Sequence, residues 1–525
     1  MSIRLAFEPS GIAAAALVGE TLLEAARRAG VRIGAACGGR GRCRACGVRI
    51  EGRVDEPTAS DLEVFSDGEL SGGWRRACQS RVVGDARVHV PPRSAAAAIA
   101  RGQEDGAGHI PMAEPVAASG LGLAVDLGTT NLAAALIDLA TGRVVATGAA
   151  ENPQGIFGAD VISRGGRALR VPGAPAELQR LAAGAITELG GALAGGRPER
   201  IVQVAVVGNS VMSHLLLGLP VDTLVKAPYQ PAVAEAQDLP AAVVGIGVAP
   251  GALLHVGSNI AGFVGSDHVA ALLEVLQSPP PGRWALLDIG TNTEISLFDG
   301  HRLVSASCPS GPAFEGGALS CGMRAAAGAV ERAGITADGL DLATIGGEAP
   351  VGLCGSGVLS LLAGLRRTGL VDGKGRLGLG HPAIRERGEI RAVVLASEEE
   401  TGGLPVLFTQ ADIRNVQLAK AAIRAGLDLL LDSAGLAAGD LDHLIVAGAF
   451  GKYIDLGDAA AIGMLPELPA GRFSQVGNAA GAGARRMLAC HRERRRASEL
   501  ARRIHYLELA SRPDFQKRFI QAMAM

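Results

Sequence analysis

Leu286-Leu-Asp-Ile-Gly-Thr-Asn-Thr-Glu-Ile-Ser296 decides how this chain is read. Apolar residues run straight into Asp288, and Gly290, Thr291, Asn292 and Thr293 then make a tight polar turn. Glu294 to Phe298 leave it with the alternation of a strand, so the stretch is expected to be a β-hairpin. Its tip offers backbone N–H groups, hydroxyls and a carboxylate, which suits a phosphate held beside a magnesium ion. An ordinary hairpin with Gly and Asn in its turn would look the same in isolation. The stretch is not isolated. Leu123-Ala-Val-Asp-Leu-Gly-Thr-Thr-Asn131 has the same plan: Asp126 answers Asp288, Gly128 answers Gly290, Thr129 answers Thr291, and Thr130 follows. Two such hairpins imply a duplicated fold with a nucleotide between its halves.

A third stretch, Val351-Gly-Leu-Cys-Gly-Ser-Gly-Val-Leu-Ser-Leu-Leu362, puts Gly355, Ser356 and Gly357 in a tight loop before an expected helix from Val358. The three together, in this order, resemble the phosphate and adenosine motifs of the actin-like ATPase superfamily. Ile201 to Ser210 and Leu444 to Tyr453, each a strand ending in a Gly-containing turn, resemble its connecting motifs. The resemblance implies that Asp126 and Asp288 organise Mg2+. Gly128, Thr129, Thr130, Gly290, Thr291 and Asn292 would cradle the phosphates of ATP. Gly355, Ser356 and Gly357 would pass close to the nucleoside, and Glu294 would position the attacking water.

The first 92 residues read differently. Two short strands and a helix over Glu20–Arg28 precede Cys37, Cys43 and Cys46, spaced C-x5-C-x2-C on a glycine-rich loop, with Cys78 downstream. Four thiolates in this order, with glycines that let backbone N–H groups turn toward sulfur, suit a 2Fe–2S cluster. A four-cysteine zinc site is the alternative, but it ordinarily pairs two C-x2-C knuckles. The pattern resembles ferredoxins of the plant and adrenal type. Arg40, Arg42 and Arg44 interleave with the ligands and offer a docking face for an acidic partner, or simply a solvated loop.

Composition bounds the rest. The 525 residues are 48% hydrophobic, ample for several cores, and 74 glycines imply many tight turns. Aromatics, at 3%, are too scarce to suggest an aromatic-lined groove. Fifty Lys and Arg oppose 52 Asp and Glu, so no global charge points to nucleic acid or an anionic membrane. Met1 to Phe7 reads as a strand rather than a leader, and the uncharged run Leu239 to Ser266 is broken by prolines and glycines. A cytoplasmic location is expected.

The expected architecture is multidomain, α+β and α/β: a β-grasp ferredoxin domain (1–92), a linker (93–119), a duplicated actin-like, ribonuclease H-type ATPase core (120–490, halves 120–255 and 256–490), and a helical tail (491–525). Asp160 to Arg164 and Ser305 to Gly317 are expected as loops.

This pairing of domains resembles the reductive activators of corrinoid-dependent methyltransferase systems. Spellings such as Gly-Asn-Ser-Val-Met (208–212) and Gly-Pro-Ala-Phe-Glu-Gly (311–316) also resemble that family. The resemblance implies ATP-dependent transfer of one electron from the cluster to cob(II)alamin on a partner corrinoid protein, and a homodimer formed through the ATPase core. It leaves the upstream electron donor open. One side chain of the loop Ser305 to Gly317, Ser307 or Ser310, is expected to meet the corrinoid's upper face and displace its bound water; the alternative is a tight structural loop packed against the hairpin. An activator ATPase of radical dehydratases, a small-molecule kinase with a redox-sensing domain, and a chaperone-like ATPase that holds the corrinoid protein are the rival readings.

Overall fold

The computed structural model describes residues 3–34, 39, 41, 44–62, 64–95, 109–112, 114–158, 160–387, 390–401, 404–448 and 450–525. Cys37, Cys43, Arg40 and Arg42 lie outside them, as does the linker stretch 96–108.

The N-terminal unit is a β-grasp. Strands β1 (Ile3–Glu8), β2 (Ile12–Ala16), β3 (Gly47–Val54), β4 (Trp74–Arg76) and β5 (Val82–His89) form one sheet in the order β2-β1-β5-β3-β4. The helix Leu22–Arg28 crosses it. Thr21 and Glu24 form a reciprocal capping box at its start, and Leu22, Leu23, Ala25 and Ala26 are buried against the sheet. The unit ends in a short helix, Pro92–Ala95, whose Ser94 hydroxyl donates to Gly47 O at 2.7 Å.

The rest is a fold written twice. Strands β6 (Leu121–Leu127), β7 (Asn131–Asp138) and β8 (Arg143–Glu151) are consecutive and antiparallel. β9 (Ile201–Gly208) lies parallel to β6, followed by β11 (Leu253–Val256) and edge strand β10 (Gln237–Pro240). The second sheet repeats this plan. β12 (Trp284–Ile289), β13 (Thr293–Phe298) and β14 (Leu303–Cys308) are antiparallel, and strands His443–Ala447 and Phe473–Gly477 add in parallel beside β12. β6 and β12 read as apolar runs because each is central and covered on both faces.

Helices Ser266–Val275 and Ala479–Ala489 pack between the sheets and fuse the halves. Their crossing is close: a Cβ at Gly483 would sit 2.0 Å from Ala270 O, so only glycine fits. The last residues are built into the second half. Helix His491–Arg503 buries Ala497 and Ala501 in the core between the halves, and His505–Tyr506 pairs with β14.

Two loop expectations are corrected. Asp160 caps a helix, Val161–Arg170, by accepting Ser163 N–H at 2.7 Å; an aspartate before an amphipathic run is itself a helix-start signal. Ser305 to Cys308 belong to β14, with Ala306 and Cys308 buried on one face and Ser305 and Ser307 on the other. That alternation of small residues is strand periodicity.

Candidate nucleotide cleft and cluster site

Both hairpins form as expected and aim at one cavity of about 310 Å³ between the halves. The pairs Asp126↔Ala133 and Asp288↔Glu294 set the register, so Asp288 and Glu294 stand side by side on one face. Asp126, Asp288, Glu294, both glycines of the turns, Thr129, Thr130, Thr291 and Asn292 all line the cavity. Gly355 and Ser356 line it too, at the first turn of the helix Gly355–Arg367. The helix thus begins at Gly355 rather than Val358, and Gly357 packs away from the cavity, against Val330.

Three aromatics nevertheless stand at this wall, contrary to the compositional expectation. Phe314, Phe450 and Tyr453 line the cleft, and the two Phe rings stack with centroids 5.3 Å apart. A Cβ at Gly355 would meet Phe450 at 2.4 Å, which is why glycine stands at this wall.

The electrostatics are severe. Asp126, Asp288 and Glu294 are joined by Asp267, at the first turn of the Ser266–Val275 helix, which the sequence reading did not single out. Each keeps some surface open to the cleft. Burial, with Asn478 opposing it, raises Asp126 to about 6. Burial and then Asp126 raise Asp267 to about 7. Burial, then Asp267 and Asp126, raise Asp288 to about 8. Burial, then Asp267 and Asp288, hold Glu294 well above the usual carboxylate range. Four carboxyls resisting ionisation beside the two Gly-Thr turns are the environment a divalent cation would relieve. Among the described residues no three such side chains converge closely enough to hold a metal alone. The fit is therefore to an ion completed by water and nucleotide phosphates, as is usual for magnesium.

Other side chains steady the turns. Asn478 Nδ2 donates to Asp126 Oδ2 at 3.1 Å, Asn209 Nδ2 to Thr129 Oγ1 at 3.0 Å, and Asn152 Nδ2 to Gly128 O at 2.8 Å. Arg164 Nη2 donates to Thr129 O at 2.6 Å. Glu315 accepts hydroxyl protons from both hairpins, Thr130 at 2.8 Å and Thr291 at 2.9 Å. None of these five was singled out for such a role from sequence; no spacing rule relates residues that meet only through tertiary packing.

Ser307 and Ser310 lie apart from the cavity wall. Ser307 sits opposite Glu294 in the β13–β14 register and donates to its Oε1 at 3.2 Å. Ser310 is 5% exposed, shares a hydrogen bond with Thr293 Oγ1 at 3.0 Å and donates to Thr291 O at 3.4 Å.

In the β-grasp unit, Cys46 and Cys78 are both buried in one apolar cluster. Gln79 Nε2 donates to Gly39 O at 2.8 Å and lies 3.5 Å from Cys78 Sγ, tying the downstream cysteine to the glycine-rich loop. Beneath, Arg76 and Asp61 form a fully buried ion pair at 3.1 Å that anchors the Cys78 turn. Two buried thiols beside an N–H donor fit an iron–sulfur centre. Arg44 turns inward, 3.2 Å from Glu69 and over the Phe65 ring, so it serves its own domain.

A ferredoxin unit joined to a twofold-repeated cleft with two phosphate hairpins defines the class: an iron–sulfur protein with an actin-like ATPase core. Comparison with known proteins agrees. Residues 6–83 match the 2Fe–2S iron–sulfur cluster binding domain, 121–276 the RACo middle region, and 284–525 the C-terminal domain of RACo, the ASKHA domain. The corrinoid activation enzyme RamQ of Eubacterium limosum is 33% identical over 413 residues, covering 76% of this chain and 69% of that protein. A solved reductive activator for corrinoid, iron–sulfur protein superposes with a TM-score of 0.71 at 28% identity, over 100% of this chain and 98% of the other. The [Co(II) methylated amine-specific corrinoid protein] reductase of Methanosarcina barkeri is 28% identical over 254 residues, 43% of this chain and 42% of that protein. The chain belongs to the RACo family of corrinoid activators.

Proposed function

We propose that this protein is an ATP-using reductive activator of a corrinoid protein. A 2Fe–2S centre, when bound and reduced, would supply one electron, which cobalt(II) on the partner would gain to become cobalt(I). The observation that carries the reading is the ferredoxin unit seated against the nucleotide cleft in one chain. Arg93, in its closing helix, donates to Ser320 O at 2.6 Å in the ATPase core.

Cys37, Cys43, Cys46 and Cys78 would hold the cluster, whose plant-type potential near roughly −400 mV makes it a one-electron donor. Reduction to cobalt(I) is uphill from there in this reading, so ATP acts as a conformational switch and phosphorylates no metabolite. Asp126 and Asp288 would organise Mg2+, and Asp267 adds to their field. Gly128, Thr129, Thr130, Gly290, Thr291 and Asn292 would cradle phosphates, Gly355, Ser356 and Gly357 would border the nucleoside, and Glu294 would position water. Ser307 or Ser310 would meet the corrinoid's upper face. We place the ferredoxin domain at 1–92, closed by the helix Pro92–Ala95, then a linker to 119 and the core at 120–490, onto which the C-terminal segment 491–525 packs, in a cytoplasmic homodimer. Among the described residues no helix is long and apolar enough to cross a membrane, and neither membrane nor nucleic acid enters the reading.

The test is anaerobic mixing of the reduced protein with a corrinoid protein in the cobalt(II) state, with and without MgATP. Cobalt(I) absorption should grow and the cobalt(II) EPR signal should fade only with MgATP, and Cys78→Ala should abolish both changes. Cobalt(I) formed equally without ATP, or by Cys78→Ala, would sink the proposal.

A further inference from the structure

Glu315 occupies an unusual place. It ends the turn Ala313–Glu315 after β14 and reaches back into the cleft. Its carboxylate accepts one hydrogen bond from a threonine hydroxyl of each hairpin, and those two hydroxyls stand 3.4 Å apart. One anion therefore stitches both tips together. A phosphate oxygen asks for the same donors, and two anions cannot share them at this distance without a large repulsive cost.

The turn is mechanically joined to the ferredoxin unit. Gly316 follows at φ +78, and a Cβ there would lie 2.5 Å from the Met323 backbone, so the turn rests directly on that strand of chain. Gly322 and Ser320, just before Met323, present the carbonyls that accept Arg93 Nη2, at 3.2 and 2.6 Å. Glu315 also lines a second cavity of about 300 Å³ toward the ferredoxin unit. Arg27, Arg32 and Arg324 line it as well, and Arg32 and Arg324 both hold Glu151 at 2.8 Å. A carboxylate leaving the hairpin tips thus has a cationic space beside it.

We propose that Glu315 is a nucleotide-displaced positioning residue: a phosphate at the hairpin tips takes its two donors, the 313–324 segment shifts, and the seat of Arg93 loosens, freeing the ferredoxin unit to move. This rests on the cleft being a nucleotide site, as proposed above.

The experiment uses the full-length, cluster-loaded protein, Glu315→Gln and Glu315→Ala, with the non-hydrolysable analogue AMPPNP and Mg2+. Binding is measured by calorimetry, and exchange at 318–324 by hydrogen–deuterium mass spectrometry. Wild type should show faster exchange at 318–324 when the analogue binds. Both variants should bind it five-fold or more tightly and show the faster exchange without it. A merely structural role would cost thermal stability but would not tighten binding. Unchanged or weaker binding, or exchange that still responds to the analogue as in wild type, overturns the inference alone. A wild type that binds no analogue overturns the nucleotide reading and the inference with it.

Discussion

The two phosphate hairpins share a spelling but carry different loads. The first is braced by other residues: Asn478 donates to Asp126, Asn209 to Thr129, and Asn152 and Arg164 to the turn's carbonyls. The second is loaded with charge. Asp288 stands directly across from Glu294, with Asp267 and Asp126 near enough to raise it further. In the proposed reading, a braced turn would hold a phosphate in fixed geometry. A turn crowded with carboxyls changes its electrostatics most when a cation arrives. The shared Asp-x-Gly-Thr sequence thus sits in two settings, partly because Glu294 stands where the first hairpin has Leu132, and partly because different residues reach each tip from elsewhere.

The largest expected effect tests that division. Asp288→Asn should cut ATP hydrolysis, read as phosphate release, by about 10²-fold or more, since phosphoryl transfer depends on positioning and charge neutralisation. Asp126→Asn should damage hydrolysis less, its turn being held by other side chains. Equal losses would show that the halves share the load, and a wild-type rate in Asp288→Asn would place the nucleotide elsewhere.

The pH dependence of stability sharpens the same contrast. Asp126, Asp267 and Asp288 hold their protons to about 6, 7 and 8 when folded, against roughly 4 when unfolded. The folded state therefore binds more protons between these limits, and stability falls as pH rises from about 4 through 8. The nucleotide-free, Mg2+-free protein should lose stability over that range, read as a falling Tm in calorimetry. Saturating MgATP should flatten the slope, because a nearby cation favours the ionised carboxylates. Asp288→Asn should remove more of the slope than Asp126→Asn. A Tm that climbs from pH 6 to 8 without Mg2+ would contradict the arrangement.

How much of this was legible in the sequence follows the same line. The hairpins and the helix over Leu22–Arg28 are local patterns, written in apolar runs, alternation and turn residues; the duplicated sheets followed from the repeated hairpin and the β-grasp from the ferredoxin resemblance, and all fold as expected. Asp267 stands only at the end of an apolar stretch, and Glu315 inside a Gly-Pro-rich one; nothing nearby marks either as facing a cleft. Their roles come from helix Ser266–Val275 packing between the sheets and from the turn after β14 folding back over both hairpins. The loop reading of Asp160 to Arg164 failed differently. Its capping signal was present, but Gly165 and Gly166 mask the helical pattern, and burial of Val161 and Arg164 supplies what propensity does not.

The smallest expected effect separates Ser307 from Ser310, two serines that looked equivalent in sequence. Ser310 is buried and hydrogen-bonded to the second hairpin at Thr293 and Thr291, so its hydroxyl steadies the turn from behind. Removing it leaves buried partners short of a bond, and Ser310→Ala should cost about 1–3 kcal/mol of stability while barely touching the corrinoid. Ser307 is half-buried, one strand further from Asp288, and donates to Glu294 at 3.2 Å where water can take its place if the hydroxyl is removed. Ser307→Ala should leave Tm nearly unchanged. If Ser307 meets the corrinoid, the variant should lose the shift in cobalt(II) absorption and EPR that wild type produces on mixing, before any electron arrives. Loss of that shift in Ser310→Ala with Ser307→Ala unaffected would exchange their roles, and an undiminished shift in both would make the whole β14 segment scaffolding for the hairpin.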